Sequence, residues 1–403
     1  MAFGVIAGHK LCIVSMESRS PMKKMLLLSF LFALLIAGCV QPLPAATPTP
    51  TEPEKLPTNT PMYLSSIFKT YVYMGGSGWA TNLDQTRIYN TRNFGEHWFD
   101  VTPEGLIPVD VAGNVTMAFP NGDLGWICQS QIEASSVLYA THDAGQTWNA
   151  YPQDFSCGNM SFTSATDGMI VSDLGVGAGS QYVSIYTTSD GGVEWTKVFE
   201  HDASNPDNHG LPASGIKSSL LLLNNGVALI GGSRPMPGSL YLFRSTDGGA
   251  SWDQVECAGI PGAEDAELDP IDILRISPQN VVVPVRSYSP EGTSTHFCAS
   301  NDAGETFQYR STIGFVEFTD FGSLDQGLAY GDGKMYQTMD GVTWQDVTSA
   351  LPPGMTPVAL HMLNADVGYL TATITPETLL ENRIFMTANN GKSWQSMSGT
   401  IIQ

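Results

Sequence analysis

Basic residues are scarce in this chain. Eighteen Lys and Arg stand against 39 Asp and Glu, for a formal net charge of −21 at pH 7. Such a surface repels polyanions, which excludes nucleic acid and anionic lipid headgroups as docking partners. Cysteine is also sparse, with six in 403 residues. Cys128, Cys157, Cys257 and Cys298 follow residue 39 without CxxC spacing, and no His lies at zinc-ligand spacing from a Cys pair. These four allow more than one disulfide pairing, and sequence does not choose among them. Helical periodicity is missing, and no apolar run is long enough to cross a membrane as a helix.

What the chain has instead is repetition. Ser245-Thr246-Asp247-Gly248-Gly249-Ala250-Ser251-Trp252 is the clearest of seven copies of one motif. The others end at Trp98, Trp148, Trp195, Phe307, Trp344 and Trp394. Each copy starts with Ser or Thr, has Asp or Asn close behind, then Gly, then the closing aromatic. The motif suits a hairpin turn: the acid or amide accepts backbone N–H bonds one to three residues ahead, and Gly takes angles other residues avoid. Its polar residues are Asn93, Asp143, Asp190, Asp247, Asp302, Asp340 and Asn389. A second marker, a Gly- or Asn-apolar step such as Gly78-Trp79 or Gly125-Trp126, opens a strand before each turn. All eight Trp residues fall in these two markers. One unit therefore reads as four short strands, and seven units fill residues 62–403. The expectation is an all-β fold, a seven-bladed β-propeller of four-stranded antiparallel blades.

The turn motif resembles the Asp-box, or BNR repeat, of sialidase-superfamily propellers, where it is structural and lies away from the catalytic face. Taken with the Gly-Trp steps, the chain is similar to bacterial exported propellers of the photosystem II assembly and stability-factor type. The resemblance implies an exported scaffold that binds a protein or a glycan. Those assembly factors carry an arginine-rich patch for their client, and no Arg cluster is visible here.

The N-terminus reads as an address. Lys23-Lys24 precedes an apolar run from Met25 to Ile36, and Ile36-Ala37-Gly38-Cys39 resembles the bacterial lipobox. The expected division is an upstream extension over 1–21, a lipoprotein signal peptide over 22–38 and a linker over 39–61. Cys39 would carry the lipid. The linker is rich in Pro and Thr, buries nothing, and spans up to roughly 60 Å as an extended stalk. The expected place is the bacterial cell envelope, extracytoplasmic, lipid-anchored and monomeric.

Chemistry is less legible. In a propeller the D-to-A connectors and B-to-C loops share one face, here called upper. The longest departures from the repeat are Phe199–Ser214, Ser233–Gly238, Ala258–Pro270, Arg286–Ser294 and Thr373–Asn382. Loops that grow on one face of a rigid scaffold are the usual place for binding. The candidate binding face is Asp202, Asp207, His209, Arg234, Glu264, Asp265, Glu267, Asp269, Arg286 and Tyr288. The second acidic group offers the oxygen donors that Ca²⁺ prefers but lacks EF-hand spacing, so no cofactor or metal is expected. A glycoside hydrolase is the alternative. It needs two carboxylates flanking a sugar, or in sialidases an arginine triad. The Arg-Ile-Pro motif of sialidases is absent, and the one Arg-Pro step, Arg234-Pro235, falls in the fourth unit. No catalytic residue is assigned.

Overall fold

A computed structural model describes residues 67–107, 112–131, 136–202, 204, 208–234, 236–374, 381–397 and 399–402. The expected signal, Cys39 and linker lie outside the described residues, and so does Asp207. The chain divides into compact units at residues 57 and 58. Among the described residues no helix is long and apolar enough to cross a membrane.

Seven sheets follow one another along the chain, each with four consecutive strands at its heart. Blade one runs Ile67–Val72, Gly78–Asn82, Ile88–Thr91 and His97–Asp100, here strands A to D. Burial explains the order. Strand B is buried on both sides, as in Gly327–Gly331 of blade six, because a neighbouring blade covers each face. Strand D is mostly exposed, as in Asp253–Gln254 of blade four, because it forms the rim. The protein is a seven-bladed β-propeller.

The core is a set of layers between blades. Trp79 of blade one stacks on Phe119 of blade two at 4.8 Å, and Trp126 of blade two stacks on Phe162 of blade three at 3.8 Å. Each indole also needs a hydrogen-bond acceptor once buried. Trp79 Nε1 donates to Asn121 O (2.7 Å) and Trp126 Nε1 to Gly191 O (2.8 Å), both in the next blade. One disulfide, Cys128–Cys157, ties strand B of blade two to the approach of blade three. The other, Cys257–Cys298, ties the connector after blade four to strand C of blade five. The ring closes with Thr400–Ile402, which lies parallel to strand D of blade one.

The seven repeated turns share one hydrogen-bond plan. In blade four, Ser245 Oγ donates to Asp247 Oδ1 (2.9 Å) and accepts the Gly249 N–H (2.8 Å). Asp247 Oδ1 accepts the Ser251 N–H at 2.9 Å. That acceptor reaches four residues ahead in six blades, beyond the one to three expected. The reason is that two successive residues adopt positive φ, which lengthens the turn. The first is not always Gly: it is Phe94, Ala144, Ala303 and Asn390 in four blades. The blade-six turn is shorter, and Asp340 takes the Val342 and Thr343 N–H groups instead.

In six blades the turn is also bonded to the A-to-B turn of its own blade. Phe94, Ala144, Gly191, Gly248, Ala303 and Asn390 donate N–H to Gly76, Asp123, Thr166, Gly226, Gln279 and Asp366 carbonyls. Both kinds of turn therefore lie on one face, the lower. The connectors and B-to-C hairpins make the upper face.

Candidate functional site at the upper mouth

Four of the ten expected residues come together on blade five. Glu267–Pro270 is inner strand, not loop, and pairs with Val281–Ser289. Glu267 sits opposite Tyr288, and Asp269 opposite Arg286. Alternate residues share a face of a strand, so these four side chains form one patch. Leu268 and Pro270 point the other way and are buried. Arg286 Nη2 donates to Val316 O at 2.6 Å, and its guanidinium lies 4.7 Å over the Phe315 ring. The cation is thus fixed to the next blade's connector. Burial raises the Asp269 carboxyl above its ordinary value, and the charge of Glu267 adds to this; Ser233 and Arg286 oppose it. Tyr288 is 41% exposed, an open aromatic face beside a carboxylate.

The segment 286–294 is likewise not a loop. It is the end of a long hairpin, Val281–Ser289 with Gly292–Ser300. Thr373 and Asn382 are themselves paired at the base of the blade-seven hairpin. Continued cross-strand pairing, out to Ser289 with Gly292 and Ile374 with Glu381, carries these strands past the repeat length.

The other candidates are dispersed. Exposed Asp202 accepts the Ser204 N–H (2.8 Å) and hydroxyl (2.7 Å), which hold its carboxyl below the usual range. Arg234 is half-buried just past strand B of blade four. Glu264 and Asp265 are exposed on a short turn, Ala263–Asp265. His209 is drawn to the rim: it holds a left-handed conformation (φ 53°), and its carbonyl accepts the Trp252 N–H at 2.9 Å. His201, eight residues before it, is core. His201 Nδ1 accepts the Val183 N–H (2.9 Å), and Nε2 donates to Leu211 O (3.0 Å). Among the described residues, no three of His, Cys, Asp or Glu gather closely enough to hold a metal.

The connectors also do more than expected. Phe199, His201, Leu211 and Ala213 of the first are buried, as are Ile260, Ala266 and Leu268 of the second. The first packs between blades three and four and the second between blades four and five, as well as crossing the upper face. Together with the blade-four hairpin loop, the second connector encloses about 450 Å³ lined by Met236, Leu240, Glu256, Cys257, Ile260 and Leu268 among others. A larger opening of about 530 Å³ lies on the lower face between blades three and four, lined by Ser164, Asp167, Asn224 and Asn225. Among the described residues each cavity is lined by a single carboxylate, Glu256 in the first and Asp167 in the second.

Sequence reasoning missed the channel. Lys69 and Tyr71 lie on strand A of blade one, Asp320 on Phe318–Phe321 of blade six, and His361 on Met355–Met362 of blade seven. Asp272 lies between the two pieces of the blade-five inner strand. His361 joins three blades: Nδ1 is 3.2 Å from Asp320 Oδ2, and Nε2 is 2.9 Å from Val72 O. Both nitrogens face acceptors. Asp320 also accepts the Phe321 and Met362 N–H groups, each at 2.8 Å. Burial raises the Asp272 carboxyl; the Ile273 N–H and Lys69 pull it back, and Asp320 pushes it up.

No protein-family profile matches the chain, and no curated protein matches it. Solved structures do. "YCF48 bound to D1 peptide" is 16% identical, with 81% of this chain and 94% of that chain covered and a TM-score of 0.53. YCF48 from Cyanidioschyzon merolae is similar at 16% identity, 81% and 96% coverage, and a TM-score of 0.52. The GH74 xyloglucanase from Xanthomonas campestris is 13% identical over 85% of this chain and 54% of its own length, with a TM-score of 0.55. At these identities the likeness is one of fold alone.

Proposed function

We propose that this protein is a lipid-anchored, extracytoplasmic propeller that binds a partner protein or glycan at its upper mouth. One observation carries the reading: Glu267, Asp269, Arg286 and Tyr288 form a single patch on a rigid inner hairpin of blade five. A fixed cation, an open aromatic ring and two carboxylates are a recognition surface, not a core. The acidic excess of the chain favours a basic protein surface as the partner. A propeller of the same fold, YCF48, is bound to a peptide, which supports peptide or protein recognition as a use of this scaffold. Anchoring rests on the lipobox ending at Cys39.

A glycoside hydrolase is the second reading, favoured by the two channel carboxylates and the xyloglucanase of like fold. Asp320 weakens it. His361 and two backbone N–H groups already engage that carboxylate, which leaves it no free role as acid, base or nucleophile.

A photoreactive residue at Tyr288, compared with one at Thr306 on the lower face, tests the binding reading in intact envelopes. Adducts from position 288 and none from 306 support it; adducts from 306 alone refute it. Fractionation of Cys39→Ser tests the anchor separately. The variant should leave the membrane fraction or remain unprocessed.

A further inference from the structure

Aromatic pairs fill the first two layers between blades. Trp79, second residue of strand B in blade one, stacks on Phe119, which follows strand A of blade two. Trp126, second residue of strand B in blade two, stacks on Phe162, which ends strand A of blade three. The next layer departs from this plan. Strand B of blade three opens Gly168-Met169, and strand A of blade four ends at Leu222. Met169 and Leu222 share one core layer, so an aliphatic pair stands where the other layers hold two rings. The space is not refilled. Both side chains line the lower-face opening of about 530 Å³ between these blades. That volume falls in the range of about 300–1,000 Å³ usual for small-molecule sites.

The rim of the opening is polar. Asp167 is held by its own turn: Oδ2 accepts the Ser164 hydroxyl (2.6 Å) and the Thr166 hydroxyl (2.9 Å). Its Oδ1 has no partner among the described residues, and neither do the side chains of Thr163, Thr187 and Asn225. Asn224 takes Arg275 Nη2 on its Oδ1 at 3.4 Å and keeps its amide N–H donors free. No Lys or Arg is among the described lining residues, so an anion finds no counter-charge on the walls. Hydroxyls and amides each donate and accept, and they match a ligand whose groups do the same.

We propose that this cavity binds a neutral sugar ring, either a free monosaccharide or the end of a glycan. The C–H face of the ring rests on Met169 and Leu222. Its hydroxyls donate to Asp167 Oδ1 and exchange hydrogen bonds with Asn224, Asn225, Thr163 and Thr187. A single carboxylate serves binding and not hydrolysis, which needs two. The site lies on the opposite face from the blade-five patch and is independent of it.

Saturation-transfer NMR of the full chain tests the assignment. The probes are D-glucose, D-galactose, D-mannose and N-acetyl-D-glucosamine, the methyl glycoside of each, and the uronates of glucose and galactose. At least one neutral sugar should bind saturably, with transfer concentrated on the C–H protons of one ring face. Equal binding of its methyl glycoside assigns a glycan end; loss on methylation assigns the free monosaccharide. Asp167→Ala and Asn225→Gly should each weaken binding at least tenfold, and glycine keeps the left-handed backbone at 225 (φ 62°) unstrained. Met169→Trp supplies the missing ring and should abolish binding with the polar rim intact. A circular-dichroism melt of each variant separates lost binding from lost fold. The assignment is overturned if no neutral sugar binds the wild-type chain, if a uronate binds more tightly than its parent sugar, or if folded Asp167 and Asn225 variants bind unchanged.

Discussion

The two faces of this ring are built on opposite terms. On the lower face, seven turns repeat one plan in which a hydroxyl, a carboxylate or amide, and the backbone N–H groups satisfy one another. On the upper face the blades diverge, most of all blades three to five. Blade three carries a ten-residue strand B with Leu174 and Val176 exposed near its end, blade four a short strand and a loop, and blade five a hairpin of two nine-residue strands. The repeated turns spend their polar groups internally; the upper mouth and channel leave charges available. Repetition encodes the scaffold here, and departure from repetition marks where the molecule meets something else.

Substitutions should separate the two. The largest effect belongs to the inter-blade layer that both faces rest on. Trp126→Ala removes the stack on Phe162 and the bond to Gly191, and should cost about 3–5 kcal/mol in chemical denaturation. A loss under about 1 kcal/mol would contradict the packing described. Next come the turns. Asp247→Ala leaves the Ser251 N–H without its acceptor and should cost about 1 kcal/mol, with capture at the upper mouth unchanged.

Acid should act on the same turns. Backbone N–H groups of Thr343 and Val342 hold the Asp340 carboxyl down to about 2, and Asp190 is lowered likewise, first by the Glu194 N–H. Asp143, Asp247 and Asp302 are also lowered, because the hydroxyl and N–H bonds within each turn outweigh burial. A carboxyl depressed by folding contributes stability that is complete above its unfolded value, near 4, and is lost as pH falls through the folded one. Melting temperature should therefore drop between about pH 4 and pH 2, and less steeply in a variant with Asn at these five positions. An equal slope in that variant would show that the turns do not carry the acid sensitivity. The smallest effect belongs to the patch: Tyr288→Ala should move stability by less than about 0.5 kcal/mol.

The fold was readable because its signal is repeated. Seven closing aromatics and seven strand-opening steps report the same hairpins, and the structure places those strands within a residue or two of the markers. The fourth unit strays furthest, since a short helical turn, Asn224–Gly226, delays its second strand to Ala228. The site was less readable because one sequence shows where length is added but not what the added residues pack against. Glu267 and Asp269 looked like an acidic loop, although Leu268 and Pro270 between and beside them alternate as a strand should. His201 and His209 are eight residues apart on one connector, yet one fills the core and the other lies beside Trp252. The channel group was hidden for a geometric reason. Lys69, Asp272, Asp320 and His361 are far apart in sequence, and only ring closure brings blades one, five, six and seven around one axis.

That packing also changes how the upper face must be probed. Shortening Phe199–Ser214 would remove Leu211 and Ala213 from the core, so charge substitutions are the cleaner tool. The most direct measurement pairs two variants in one experiment. Glu267→Lys with Asp269→Lys alters the upper mouth, and Asp143→Ala with Asp302→Ala alters the lower turns. Photocrosslinking from Tyr288 in intact envelopes and the denaturation midpoint are read for both. The predicted result is a clean exchange: the first pair loses the crosslink and keeps its midpoint, and the second loses midpoint and keeps the crosslink. If the lower-face pair abolishes the crosslink at an unchanged midpoint, while the upper-face pair leaves it intact, the assignment of scaffold to one face and partner recognition to the other is wrong.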